Sequence, residues 1–284
     1  MTSVPSYYRP TSLSEALRLK EEVPGARFIA GGTDLLVQLR DGGPQPAALI
    51  SLRHIPELSV TTVDGTARLG ATTPLSDLVD NAALMAGWPL LGEALRDFGS
   101  VQIRNSATVG GNLCNGSPAA DMAPVLMVLR AQVRLCDPGG ERTLPLEEFF
   151  EGPGRTRAGR NTLLTAVELA APTPGQRGTY LKKMRTAMDV ALASVAALAV
   201  LEEGRLSEVR LAAGSVAPVP LRLSRTEAVL RGQQPTPERI AEARRVASQE
   251  VCPITDLRAG ADYRRHIVGV FVQRALQAVL QEDC

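Results

Sequence analysis

The sequence reads as an α+β chain of 284 residues, and three observations predict it. Helical and strand periodicities mix along its length. Two glycine-rich stretches, Ala30-Gly31-Gly32-Thr33-Asp34 and Thr108-Val109-Gly110-Gly111-Asn112, each leave a segment that reads as a strand or its exit. The run Pro172-Thr173-Pro174-Gly175 breaks any regular element and sets a last region apart. The expected organisation is a first subdomain over 1–55, a second over 56–175 and a C-terminal domain over 176–284.

Ser12-Leu13-Ser14-Glu15 is a capping-box pattern, and Leu13, Ala16 and Leu17 place apolar groups at i, i+3 and i+4, so residues 12–22 read as a helix. Pro24-Gly25 ends it. Arg27 to Ala30 forms a short strand into the first glycine stretch, and Thr33 to Arg40 starts a second helix. Ala48 to Leu52 is a buried strand, and Leu58 to Gly70 reads as a hairpin around Asp64-Gly65. Helices are expected over 74–87, 88–98 and 119–130, with strands around 131–136 and 162–170. In the last region Val190 to Leu201 is alanine-rich and favours helix by propensity. Glu202-Glu203-Gly204-Arg205 is nevertheless a turn into the partly alternating Leu206 to Val216, and the pair reads as a β-hairpin. Thr236-Pro237 supplies an N-cap and first helical residue, and Tyr263 to Gln281 has the period of a long terminal helix.

Composition removes several classes of function. Apolar residues make up 44% and charged residues 21%, ordinary for a globular chain, and 31 basic against 30 acidic residues leave a net charge of +1. No basic footprint for nucleic acid or anionic membrane follows. The N-terminus has neither a basic nor an apolar leader region, and the longest apolar run, Val190 to Leu201, is short of a membrane span. A cytoplasmic protein is the expectation. Cys114, Cys136, Cys252 and Cys284 are scattered, without a C-x-x-C, and His54 and His266 lack ligand neighbours at metal spacing. Neither an iron–sulfur cluster, a zinc site nor a disulfide framework is expected. Gly-x-Ser-x-Gly and Gly-Lys-Ser/Thr are absent, so redox chemistry here needs a bound organic cofactor.

A glycine pair reaches positive φ and lets backbone N–H groups converge on one concavity, which suits a phosphate oxygen. One such pair is more often a plain tight turn. Two of them, the second running through Leu113-Cys114-Asn115-Gly116-Ser117-Pro118-Ala119-Ala120-Asp121 into an apolar helical segment, read as two halves of one diphosphate cradle.

Four stretches in order resemble one family: Phe28-Ile29-Ala30-Gly31-Gly32-Thr33-Asp34-Leu35, Gln102-Ile103-Arg104-Asn105 to Asp121, Gly214-Ser215-Val216-Ala217-Pro218, and Asp256-Leu257-Arg258 to Tyr263-Arg264-Arg265. The chain resembles the FAD-binding medium subunit of the molybdenum hydroxylases, the xanthine dehydrogenase and carbon monoxide dehydrogenase group. The resemblance implies a two-subdomain FAD-binding fold of the PCMH/VAO type, followed by a C-terminal domain like that of carbon monoxide dehydrogenase flavoproteins, with an antiparallel sheet and helices. It implies that Phe28 to Leu35 and Thr108 to Asn112, with Ile103 nearby, hold FAD, the Thr33 hydroxyl joining the amides at the pyrophosphate. Phe98 matches an aromatic near the adenine, against the reading of a core aromatic. Asp121 matches a carboxylate near the flavin or its ribityl chain, against that of a helix cap. Leu164 and either Lys182 or Lys183 match positions along the isoalloxazine ring, against a solvated strand edge for the lysines. Cys114 falls near the pocket and reads as a small buried thiol, and no cysteine cluster supports a further iron–sulfur centre, which leaves FAD as the cofactor.

The implied role is that of an electron outlet. Substrate hydroxylation belongs to a molybdenum-cofactor large subunit, an iron–sulfur small subunit is the wire, and NAD or another external acceptor takes the electrons. A stand-alone flavin-dependent oxidoreductase of the same fold is the alternative, and a scaffold without FAD a third. Trp88, the only tryptophan, reads as core or as part of a partner surface.

Overall fold

The structure, a computed structural model, describes residues 6–280; the expected helix end at Gln281 and Cys284 lie outside them. The first unit comprises β1 (Ser6–Tyr8), α1 (Leu13–Glu22), β2 (Arg27–Ile29), α2 (Leu35–Arg40) and β3 (Ala48–Ser51). Its strands form a parallel sheet in the order β1-β3-β2. Ser12 caps α1 through Glu15 N–H, and Glu15 Oε2 accepts from the amide of Thr11 at 2.9 Å, a box displaced by one residue. The core of this unit includes Cys136 and Leu163 from the next sheet, which joins the two.

The middle of the chain adds β4 (Thr62–Asp64), β5 (Thr66–Gly70), α3 (Leu75–Val79), α4 (Ala82–Gly87), α5 (Pro89–Arg96), α6 (Val101–Arg104), α7 (Val109–Cys114) and α8 (Met122–Val128). These are followed by β6 (Gln132–Asp137), β7 (Gly140–Pro145), β8 (Phe150–Gly152), β9 (Arg155–Thr156) and β10 (Leu163–Leu169). An antiparallel sheet runs β4-β5-β10-β6-β7. The helix expected over 74–87 is two helices, because the Asn81 side chain accepts from Leu84 N–H at 2.9 Å and starts a new one. The segment before the second glycine stretch is the helical turn α6 rather than a strand. The stretch itself is the first turn of α7, not a loop. The helix expected over 119–130 shrinks to α8, and Trp88 is a core residue packed in the main cluster.

The C-terminal part holds β11 (Arg177–Lys183), β12 (Ala193–Glu202), β13 (Arg205–Gly214), β14 (Leu221–Arg222), α9 (Ser224–Leu230), α10 (Pro237–Glu250) and α11 (Ala261–Leu280). The expected hairpin is present as β12 and β13 within an antiparallel sheet ordered β11-β12-β13-β14. This sheet is covered on both faces, which explains its alanines. Ala196, Leu198 and Ala212 face the core shared with α5 and α8, while Ala193, Val195, Ala197 and Ala199 face the core under α10 and α11. Small side chains let helices approach both sides, so packing overrides helix propensity. Among the described residues no helix is long and apolar enough to cross a membrane.

Candidate functional site

The first glycine segment leaves the edge strand β2 and turns through Gly32, whose φ is +74°. Gly31 lies so close to the other segment that a Cβ there would sit 2.0 Å from Ser106 O, a contact with backbone that cannot yield. The chain enters α2 late. Among the described residues the amides of Gly31, Gly32, Thr33, Asp34 and Leu35 find no acceptor in the protein, and the first that does is Leu36 N–H, to Gly32 O at 3.0 Å. Consecutive unpaired N–H groups around a positive-φ glycine form an anion-binding concavity.

The second segment is built differently. Thr108 caps α7, its Oγ1 accepting from Gly111 N–H at 3.0 Å, while Gly110 N–H donates to Ala71 O at 3.0 Å and Asn112 N–H to Thr108 O at 3.0 Å. Its amides are therefore largely committed, and the two glycine pairs are unequal partners: one offers donors, the other shapes the opposite wall. Gly110 allows the close approach to Ala71, where a Cβ would lie 2.6 Å from the carbonyl oxygen. Gly111 faces the open space. Gln38 Nε2 donates to Asn115 Oδ1 at 3.2 Å and ties α2 to the end of α7.

Between the segments lies a cleft of about 140 Å³ that brings together Phe28 to Leu35, Phe98, Thr108, Gly111 and Asn112. A wider cleft of about 330 Å³ shares Arg27, Phe28, Ala30, Gly111 and Cys114 with it and adds Gly110, Thr72 and Leu164. Phe98 is held at the wall by Arg104, which donates to Phe98 O and Gly99 O at 2.9 and 3.2 Å. Thr72 Oγ1 and Asn112 Oδ1 are buried without a partner among the described residues, polar atoms in the two walls that suit a polar ligand. Cys114, expected to be a buried thiol, opens onto the junction of the clefts, while the protein packed around it still pushes the thiol up to about 12.

Other expected site residues lie outside both clefts. Val109 is buried in the core behind α7, Ile103 is exposed on α6, and Lys183 is exposed at the end of β11. The side chain of Lys182 is 1% exposed and donates to Asp121 Oδ2 at 2.7 Å and to Asp97 O at 3.0 Å. Tyr180 Oη donates to Asp121 Oδ1 at 3.1 Å. Burial pushes the Asp121 carboxyl up from its ordinary value, opposed by the Lys182 ammonium, and burial also raises the Tyr180 phenol. Asp121 makes no side-chain cap to α8, so its partner is across the molecule rather than in its own helix. This cluster stands one residue from Phe98 through Asp97, whereas Leu164 lines the wider cleft. The sequence gives no sign of Thr72 or Tyr180 in these roles, because each depends on a contact between distant segments.

The family model described as "FAD binding domain in molybdopterin dehydrogenase" matches residues 2–172, and that described as "CO dehydrogenase flavoprotein C-terminal domain" matches residues 178–279. The chain is 30% identical over 275 residues to the xanthine dehydrogenase FAD-binding subunit of Escherichia coli O157:H7, covering 95% of this chain and 94% of the relative. It is 33% identical over 274 residues to the carbon monoxide dehydrogenase medium chain of Hydrogenophaga pseudoflava, with 96% of each covered. In three dimensions it superposes on a chain of carbon monoxide dehydrogenase from Hydrogenophaga pseudoflava with a TM-score of 0.96, 33% identity and 98% of both chains covered.

Proposed function

Because the chain belongs to the FAD-binding medium subunits of the molybdenum hydroxylase family, we propose that it is the electron outlet of a three-subunit enzyme. In this reading the narrow cleft holds the diphosphate of FAD. The observation that carries it is the row of unpaired amides from Gly31 to Leu35 facing Gly111 and Asn112 across that cleft. Hydrogen bonds to a charged group contribute about 1.5–3 kcal/mol each, so a few such donors account for retention of a cofactor through purification.

Bound FAD supplies redox chemistry that couples one-electron iron–sulfur centres of a small partner subunit to an external acceptor such as NAD, while hydroxylation stays at the molybdenum cofactor of a large subunit. This chain's residues bind and orient. The Gly31–Leu35 amides and the Thr33 hydroxyl hold the phosphates, Phe98 walls the adenine end, and Gly110, Gly111 and Leu164 shape the far side. The buried Asp121–Lys182 pair supports this wall from behind by fixing Asp97, next to Phe98. Exposed apolar side chains flank the cleft and support a partner surface: α2 buries no residue, with Leu36 51% exposed, and Val101 on α6 is 58% exposed.

The test is anaerobic spectroscopy of the chain alone and assembled with an iron–sulfur and a molybdenum subunit. A panel of a purine, an aldehyde and an N-heterocycle should bleach the flavin only in the assembly that hydroxylates one of them, while dithionite bleaches both samples. Turnover of a panel member by the metal-free single chain would overturn the reading in favour of a stand-alone oxidoreductase.

A further inference from the structure

We infer that the C-terminal part of this chain carries a seat for the iron–sulfur subunit, an apolar strip formed by Met188 and Val190 in the β11–β12 connection and by Ile254 and Leu257 between α10 and α11. The inference rests on the three-subunit reading and adds to it a surface and its anchoring side chains. Leu257 is 87% exposed, Ile254 70% and Met188 62%, and Val190 is exposed as well. Single exposed aliphatics are ordinary; several on two adjoining segments mark a contact.

Neither segment is loose. Between α10 and α11 the Asp256 carboxylate accepts from the amides of Arg258 and Ala259, Ala261 N–H donates to Thr255 Oγ1 at 3.0 Å, and Cys252 N–H donates to Val216 O at 3.0 Å. Val251 and Pro253 are buried, so this segment reaches the interior and still leaves Ile254 and Leu257 outside. In the β11–β12 connection Arg185 Nε donates to Asp189 Oδ2 at 2.8 Å and Val190 N–H to Asp189 Oδ1 at 2.8 Å, while Met188 is held at a φ of +63°, which a bulky side chain rarely adopts. The buried Arg264 joins the two segments, donating through Nη1 to Leu192 O at 2.6 Å and through Nη2 to Asp256 Oδ1 at 2.8 Å. Their charges also meet: Arg185 is held above its ordinary value by Asp189 first and further by Asp256. An apolar surface ordered in advance loses little freedom on binding, which suits an anchor.

Charge and position select the occupant. Arg185, Arg258 and Arg265 are each paired with a carboxylate of their own segment, Asp189, Asp256 and Asp262, and Lys183 adds one exposed cation. The strip therefore fits an apolar, nearly neutral protein face rather than a nucleic acid or an anionic membrane. Of the partners in the three-subunit reading, the electron donor has to lie against the cofactor cleft, because electron transfer demands close approach of the two cofactors. The strip adjoins that cleft. Lys182 Nζ donates to Asp97 O, which ties the end of β11 to the segment that carries Phe98 and leads into α6, where Val101 and Ile103 are exposed. A partner seated on α6 continues over the β11–β12 connection to Leu257.

The experiment titrates the FAD-loaded chain with the isolated iron–sulfur subunit, reading affinity by sedimentation and, in stopped flow, the bleaching of the flavin by reduced iron–sulfur subunit freed of dithionite. Leu257→Glu and Ile254→Glu are expected to weaken binding at least about tenfold and to slow bleaching in proportion at subsaturating partner, with FAD content and bleaching by dithionite unchanged. Wild-type affinity should hold from low to high salt, as the paired arginines require. Leu257 is almost fully exposed, so its variants fold, and Leu257→Ala separates lost contact from added charge by a smaller loss in the same direction. Equal affinity in wild type and variants overturns the proposal. Loss of binding to the molybdenum subunit alone, or of self-association alone, also overturns it by giving the strip to another occupant. Failure of the three-subunit reading shows separately, as a wild-type chain that never binds the iron–sulfur subunit, and removes the inference with it.

Discussion

Asp121 and Lys182 join the middle of the chain to its C-terminal part through one buried ion pair. Removing one partner of such a pair strands the other charge, which costs about 3–5 kcal/mol, whereas replacing both by apolar residues is far milder. Asp121→Ala also leaves the Tyr180 hydroxyl without its acceptor. Urea denaturation should show a loss of that size for Asp121→Ala and a clearly smaller one for Asp121→Leu with Lys182→Met; a neutral single variant would contradict the pairing. At this scale the sequence was most legible where glycine is required by backbone geometry, as at Gly31 and Gly32. It was silent where a role depends on a contact across 61 residues, as in this pair.

The segment between α10 and α11 is organised by one carboxylate. Asp256 Oδ1 accepts from the amides of Arg258 and Ala259 at 2.8 and 3.1 Å and from Arg264 Nη2 at 2.8 Å. Partial burial pushes this carboxyl up, yet those donors outweigh it and hold it at about 2, below the ordinary 3.8. A depressed carboxyl contributes stability that is present above its unfolded value and lost as the pH falls through the folded one. The stability difference between wild type and Asp256→Asn should therefore shrink as the pH drops from about 3.8 towards about 2. A difference that stays constant over that window would contradict the assignment. Elements with a local signal were readable, such as α1 with its cap and α10 with Thr236-Pro237. β7, largely exposed and polar, carried no apolar alternation and was not foreseen, and α9 is short and held by Glu250 from another helix. The alanine-rich β12 was ambiguous because its strand state is fixed by helices on both faces.

At the scale of the whole molecule, the exposed apolar side chains beside the cleft are expected to be covered by a partner. Val101→Glu should weaken assembly with the iron–sulfur subunit by tenfold or more, since a charge placed in an apolar contact must be desolvated, while leaving the isolated chain folded and yellow. Light scattering of the mixed subunits checks it, and undiminished assembly would place the interface elsewhere. The overall architecture was legible from four separated motifs together with the two glycine pairs. What the sequence could not give was the asymmetry between those pairs: only the fold reveals that the glycine amides of α7 are committed to Thr108 and to Ala71 O while the β2–α2 turn leaves its own unpaired among the described residues.

The central claim, that this cleft holds FAD, is tested most directly by the flavin-to-protein ratio of Gly111→Glu beside the wild type. Gly111 faces the cleft, and an added Cβ meets only the Thr108 side-chain oxygen, at 3.0 Å, which must give by a few tenths of an ångström; a longer acidic side chain then enters the space meant for phosphate without meeting the core. The account predicts one flavin per wild-type chain and a colourless variant with an unchanged circular dichroism spectrum. A folded Gly111→Glu protein that retains stoichiometric FAD would contradict it.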